Sequence, residues 1–162
     1  MNTSFGTQSQ NMIVALGLAS GSLIKGMDVE FIDKIDGRKK WCQLKAGPNT
    51  INSEDVAPLI QKFNAVANLA RTNVIDLNNS DLVLGVLYAE EVQLSQHYKI
   101  INETYPVLVG QDLWHRLTGF ELFYPKLIVS LNQMIFDLET ETLLLDGATK
   151  LAKEIEESGL LS

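Results

Sequence analysis

The stretch Lys25-Gly26-Met27-Asp28-Val29-Glu30-Phe31-Ile32-Asp33, followed beyond an Asp36-Gly37 dipeptide by Lys39-Lys40-Trp41-Cys42-Gln43-Leu44-Lys45-Ala46, decides how the chain is read. Side chains in a strand alternate between faces, so Asp28, Glu30 and Ile32 share one face, and Val29 and Phe31 the other. The same alternation groups Trp41, Gln43 and Lys45. An Asp-Gly pair between two such runs predicts a hairpin with a two-residue loop. That register sets Asp28 opposite Lys45 and Glu30 opposite Gln43. Four polar groups then converge on one patch.

Outward from the hairpin, Gly47-Pro48-Asn49-Thr50-Ile51-Asn52 reads as a loop, because Gly-Pro punctuates and a proline turns its predecessor away from helix. A helix follows, capped by Asn52 or Ser53, with Glu54 and Asp55 at its positive end and Val56, Leu59, Ile60, Phe63, Val66, Ala67 and Ala70 at helical spacing. Asp81 to Tyr88 is a near-continuous apolar run, the pattern of a strand buried on both faces. Ahead of the hairpin, Ser9 to Ile24 is rich in apolar and small residues and predicts a helix. Beyond it we expect a helix over Gln93–Asn102, a short strand over Tyr105–Val109, a helix over Gln111–Leu117 bounded by Gly110 and Gly119, and two C-terminal helices, Glu121–Leu138 and Glu141–Ser158. The fold class is α/β, a mixed central sheet whose motif hairpin is flanked by helices.

The chain has 162 residues, 46% of them hydrophobic, which predicts one domain over 1–162 with a C-terminal helical region at about 120–158. The single cysteine, Cys42, excludes a disulfide framework; it reads as a small core residue and places the protein in the cytoplasm. The apolar run Met12–Leu18 is too short to span a bilayer and has no basic residue before it, so no membrane role is expected. A net charge of −7 argues against nonspecific, electrostatically driven binding to nucleic acid. Part of that charge is a solvated face: Glu139, Glu141, Asp146, Glu154, Glu156 and Glu157 lie in the last helical region. Arg38-Lys39-Lys40, Lys45, Lys62, Arg71, His115-Arg116 and Lys126 can meet phosphates or be ordinary surface charges.

The patch has the donor types for metal-assisted phosphodiester hydrolysis. That reaction needs an activated water, stabilisation of the charge on the pentavalent phosphorus and help for the leaving 3′ oxygen. Mg²⁺ takes hard oxygen ligands and keeps several waters, so one carboxylate, a second oxygen and a strand carbonyl suffice. Asp28 is the candidate anchor, the Gln43 amide oxygen the second ligand and the Leu44 carbonyl the third. Lys45 can orient or deprotonate water and clamp the phosphate. Glu30 is the auxiliary that restores a negative charge, or else a surface pair. The plainest alternative is an Asp28–Lys45 cross-strand ion pair. No acidic residue precedes Asp28 to add a ligand. No phosphate-binding glycine loop and no Cys/His metal spacing is present.

Asp28 with Gln43-Leu44-Lys45 resembles the signature of the PD-(D/E)xK nucleases. Gly26–Phe31, Cys42–Asn52 and Val109–Gly119 together resemble the type II restriction endonucleases of that superfamily, over about residues 25–128. The resemblance implies a restriction-endonuclease-like core and a Mg²⁺-dependent enzyme that cuts double-stranded DNA at a short specific sequence, commonly as a homodimer. The loop Pro48–Asn52 directly follows the catalytic strand, so Asn49, Thr50 and Asn52 can contact a phosphate or base edges, form a helix-capping turn, or do both, and Lys62 can meet a phosphate. Gln43 stands where the pattern has a carboxylate, and the start of the chain is shorter than in most such enzymes. Two other readings stay open: a noncatalytic DNA-binding or protein-interaction remnant, and a repair or recombination nuclease of the same superfamily.

Overall fold

The computed structural model describes residues 3–146. In chain order the elements are α1 (Thr3–Ala15), β1 (Ser20–Gly21), β2 (Val29–Ile32), β3 (Lys39–Lys45), α2 (Ser53–Thr72), β4 (Leu82–Val86), α3 (Gln96–Asn102), β5 (Val107–Val109), α4 (Gln111–Thr118) and α5 (Phe123–Asp146). Single 3₁₀ turns precede β4 and α3, at Asn79–Asp81 and Glu91–Gln93. The chain divides into two compact units, Met1–Tyr124 and a second that begins at Pro125.

The first unit is built on one five-stranded sheet in sequence order, β1-β2-β3-β4-β5. β1, β2 and β3 are antiparallel; β3, β4 and β5 are parallel. This is the mixed sheet expected. β3 lies at its centre, so the strand carrying Gln43, Leu44 and Lys45 has neighbours on both edges. β4 is buried at all five positions, as its apolar run requires. One sheet face packs Trp41, Leu82, Leu84 and Val86 with Leu59, Phe63, Val66 and Ala67 of α2 and Tyr98 and Ile101 of α3. On the other, β4 passes so close to its cover that a β-carbon at Gly85 would lie 3.0 Å from Cys42 Sγ and 3.1 Å from Leu113 of α4. Glycine is needed there for space.

The hairpin departs from its expected register. The pairs are Val29 with Cys42, Glu30 with Trp41 and Ile32 with Lys39, a slip of two residues. Asp33 causes it. Its carboxylate accepts the Ile35 N–H at 2.8 Å and the Asp36 N–H, and the Gly37 N–H returns to its carbonyl at 2.8 Å. The chain therefore turns through Lys34–Gly37, with Gly37 at φ +75°, rather than through Asp36-Gly37 alone. An even slip preserves faces, so Trp41, Gln43 and Lys45 still share theirs.

Elsewhere the helix expected over Ser9–Ile24 ends at Ala15, where Gly17 turns the backbone (φ +74°) and Ser20–Gly21 joins the sheet edge. The two helices expected at the C-terminus are one across their proposed break: α5 runs from Phe123 through Glu139-Thr140-Glu141 to Asp146, with no glycine or proline there to stop it. The rest of the second, to Ser158, lies outside the described residues.

Arg38, Lys40 and Arg116, candidates for phosphate contact, are instead paired with carboxylates, Lys40 in the interior and the two arginines partly exposed. Asp81 is fully buried and accepts Arg38 Nε and Nη2, Lys40 Nζ at 3.1 Å and the Asn78 N–H at 3.0 Å. Lys40, itself buried, also meets Asp36 and lies 3.9 Å from buried Asp33, which Arg116 holds at 2.7 Å. The cluster joins the hairpin to β4 and α4. Burial alone would raise the Asp81 carboxyl, but the hydrogen bonds from Arg38, Asn78 and Lys40 outweigh it and hold it below the usual range. Asp36 is likewise held low, burial being overcome by Lys40.

Two outcomes follow from this cluster. Lys40→Met leaves two buried carboxylates short of a partner and is expected to lower stability by about 3 kcal/mol in urea unfolding. Carboxylates held low in the folded state stabilise fully above their ordinary pKa and lose that contribution as pH falls through the depressed value. The melting temperature should therefore fall steeply only below about pH 4, and less steeply in Asp81→Asn.

Candidate active site at the centre of the sheet

Asp28 stands just before β2 and is pinned from three sides. Its N–H donates to the Cys42 carbonyl at 2.9 Å, and its carboxylate Oδ2 accepts the Leu44 N–H at 2.7 Å. Its own carbonyl accepts the Ser22 N–H at 3.2 Å and Gln10 Nε2 of α1 at 3.3 Å. A turn at Gly26 (φ +96°) delivers the chain to this point. Asp28 is thus beside Cys42 to Leu44 of β3 rather than opposite Lys45, and the cross-strand pairing expected with Lys45 is not formed.

Gln43 is the second element. It lies on the α2-side face between Trp41 and Lys45, next to Leu84 of β4 in the ladder, with its side chain buried. Among the described residues its Oε1 has no hydrogen-bond donor. A buried amide oxygen without a partner costs about 1–3 kcal/mol, and native folds leave few such atoms. Lys45 closes the strand half-buried, its carbonyl accepting the Leu87 N–H at 2.9 Å. Among the described residues no carboxylate lies within ion-pair distance of Lys45.

A hard cation fits this donor set on one observation, the orphaned Gln43 oxygen on the strand that also bonds Asp28. Asp28, Gln43 and the Leu44 carbonyl are all oxygen donors, as Mg²⁺ requires. The set is lean: among the described residues, no group of three or more His, Cys, Asp or Glu side chains is arranged to hold a metal ion.

Glu30 is engaged by partners outside Gln43 and Lys45. It faces Trp41 instead of Gln43, and its carboxylate is taken by Ser22 Oγ at 2.7 Å, the Leu23 N–H at 3.1 Å and Lys39 Nζ at 2.8 Å. Burial would raise its pKa, but Lys39, Ser22 and Leu23 outweigh it and keep it low. Its place is the structural tie between β2, the residues after β1, and Lys39. An open groove at this sheet edge, lined by Gly17–Ser20, Glu30–Ile32, Lys34 and Lys39, excludes Asp28, Gln43 and Lys45.

Of the residues expected to touch DNA, two are already engaged. The Asn52 side chain caps α2 by accepting the Glu54 N–H at 2.9 Å, and Asp55 returns to the Asn52 N–H at 2.8 Å. Thr50 Oγ1 bonds the Gly47 carbonyl at 3.1 Å and the Tyr98 hydroxyl at 2.7 Å. Asn49 and Lys62 are exposed. Lys62 passes Gly26, whose β-carbon position lies 4.0 Å from the lysine stem, so α2 brings it to the turn before Asp28.

Two residues here escaped the sequence reading. Gln10 is not an acid and carries no motif spacing ahead of Asp28, yet its amide reaches the Asp28 backbone. Tyr98 has no local pattern to mark it, since its role comes from the packing of α3 against the loop after β3. Cys42 is a buried core thiol, as read, and burial followed by the nearby Asp28 charge pushes its pKa up. Trp114 is a core aromatic, with Nε1 donating to the Leu87 carbonyl at 2.8 Å.

A family model described as Type II restriction endonuclease EcoO109I matches residues 5–137. No curated protein matches the chain. The matched span takes in most of α1, the entire sheet and α4, so the mixed sheet flanked by helices is a restriction-endonuclease-like core.

The Asp28–Leu44 bond carries its own expectation. Asp28→Ala strands the Leu44 N–H and should cost about 1–2 kcal/mol in chemical denaturation, whereas Asp28→Asn keeps an acceptor and most of the stability.

Proposed function

The chain belongs to the type II restriction endonuclease EcoO109I family, a family of nuclease-type hydrolases, and from that membership we propose that it is a Mg²⁺-dependent endonuclease cutting double-stranded DNA at a short specific sequence. The observation that carries the reading is the buried, donor-less Oε1 of Gln43 on the strand that also hydrogen-bonds Asp28. In this proposal Asp28, Gln43 Oε1 and the Leu44 carbonyl hold the cation. When bound, Mg²⁺ lowers the pKa of a coordinated water and neutralises charge on the phosphoryl oxygens.

The protein's own groups do the rest. Lys45, placed two residues after Gln43 on the same face, presents its ammonium to the scissile phosphate and orients the attacking water. The Leu44 N–H fixes one carboxylate oxygen of Asp28, which leaves the other for the cation. Gln10 and Ser22 hold the Asp28 backbone, so the carboxylate meets the strand in one geometry. Glu30 serves by tying Lys39 and the residues after β1 in place rather than by ligation. Asn49 and Lys62 are the proposed DNA contacts, and the working form is a homodimer in which each copy cuts one strand.

A second reading, a DNA-binding or protein-interaction remnant without catalysis, is favoured by the single carboxylate in the donor set and by the net charge of −7. Plasmid DNA incubated with the protein and Mg²⁺ separates the two. The nuclease reading expects discrete fragments from the wild type and a loss of about 100-fold or more in Asp28→Asn and Lys45→Ala. Gln43→Glu, which adds a carboxylate, should lower the Mg²⁺ concentration needed for half-maximal rate. Absence of cleavage by the wild type in both Mg²⁺ and Mn²⁺ would select the remnant.

A further inference from the structure

The loop that leaves the catalytic strand is held from outside the site. Past the end of β3 the Ala46 carbonyl accepts the Tyr88 N–H at 3.0 Å, and the chain then turns at Gly47-Pro48-Asn49-Thr50 before entering α2. Tyr98 of α3 reaches that turn from the interior. Its ring is fully buried and its hydroxyl donates to the Gly47 carbonyl at 2.9 Å. The same hydroxyl meets Thr50 Oγ1 at 2.7 Å, and Thr50 Oγ1 in turn bonds the Gly47 carbonyl. Three groups from the two ends of the turn and from a helix about fifty residues away thus share one small network.

The polar side chains around the turn divide sharply. Thr50 is in the network, and Asn52 is in the capping box with Asp55. Asn49 sits between the two points at which Tyr98 and Thr50 close the turn, and it is exposed. Among the described residues no hydrogen bond engages its side chain. An amide has two donors and two acceptor lone pairs, the set that pairs bidentately with an adenine edge and also accepts singly from other bases. The turn begins two residues after Lys45.

We propose that Tyr98 is a positioning residue, clamping the Gly47–Thr50 turn so that Asn49 projects as a sequence-reading contact to DNA next to the scissile phosphate. The inference rests on the nuclease reading above and extends it to a specificity residue and its support. Without the clamp the turn retains only the Thr50–Gly47 bond, and Asn49 has to be ordered when DNA arrives. Losing the Tyr98 hydroxyl therefore acts on DNA affinity and site choice, and Lys45 stays on its strand.

The test uses the full chain with Tyr98→Phe, Thr50→Val, the double variant and Asn49→Ala. Amide exchange without DNA is expected to rise in residues 47–52 of Tyr98→Phe and to stay unchanged in β3 and β4. With plasmid DNA and Mg²⁺, Tyr98→Phe should raise KM about fivefold or more while kcat changes little. Asn49→Ala should weaken cleavage of the preferred site about tenfold and relax the choice among related sites. Thr50→Val should add little to Tyr98→Phe, because both act through one network. Unchanged loop exchange in Tyr98→Phe overturns the clamp, and unchanged affinity and site choice in Asn49→Ala overturns the contact, in either case with the wild type cutting normally. A wild type that neither binds nor cuts DNA overturns the nuclease reading itself, and this inference with it.

Discussion

The ammonium of Lys40, held among Asp33, Asp36 and Asp81, is the constraint on which the arrangement of the sheet depends. An unpaired charge at that depth would be costly, so the three carboxylates and the two arginines that complete the cluster must assemble together. Asp33 belongs to the hairpin turn, Asp81 to the entry of β4 and Arg116 to α4. Bringing them to one point fixes where the hairpin turns, which strand lies beside β3 and which helix covers that end. The register of β2 on β3 follows, and with it the position of Asp28 beside Cys42–Leu44.

β3 therefore carries two lysines with opposite fates. Lys40 and Lys45 are five residues apart, an odd separation that sends them to opposite faces of the sheet. The first meets a complete set of carboxylates. The second ends the strand half-buried, on the face of a buried amide oxygen that has no donor. At the Lys40 end the buried charges are matched, whereas at the other end, among the described residues, Gln43 Oε1 has no donor and Lys45 no carboxylate within ion-pair distance. A buried polar atom without a partner is uncommon in native folds, which sets the Gln43 end of β3 apart from the Lys40 end.

The basic residues illustrate how poorly charge in a sequence predicts charge at a surface. Arg38-Lys39-Lys40 reads as a solvent-facing basic run beside a turn. In the fold each member is bound to a carboxylate: Arg38 and Lys40 to Asp81, and Lys39 to Glu30. The same pairings tie Glu30 to Lys39 and the residues after β1. Lys62, an unremarkable helix residue in sequence, is instead carried by α2 to the turn before Asp28.

Local periodicity alone determined much of this protein. It placed the two motif strands, the capped helix beginning after Asn52, the doubly buried β4 and the grouping of Gln43 with Lys45 on one face, because alternation and capping are properties of a few consecutive residues. Only the tertiary structure decided the register, the fate of Glu30, the clamp of Tyr98 on the turn after β3 and the contact of Gln10 with Asp28. Each of these depends on a partner far along the chain, such as Asp81 for Lys40 or α3 for Gly47, and such partners become neighbours only when the sheet closes. A two-residue slip leaves alternation untouched, which is why the faces were legible and the pairs were not.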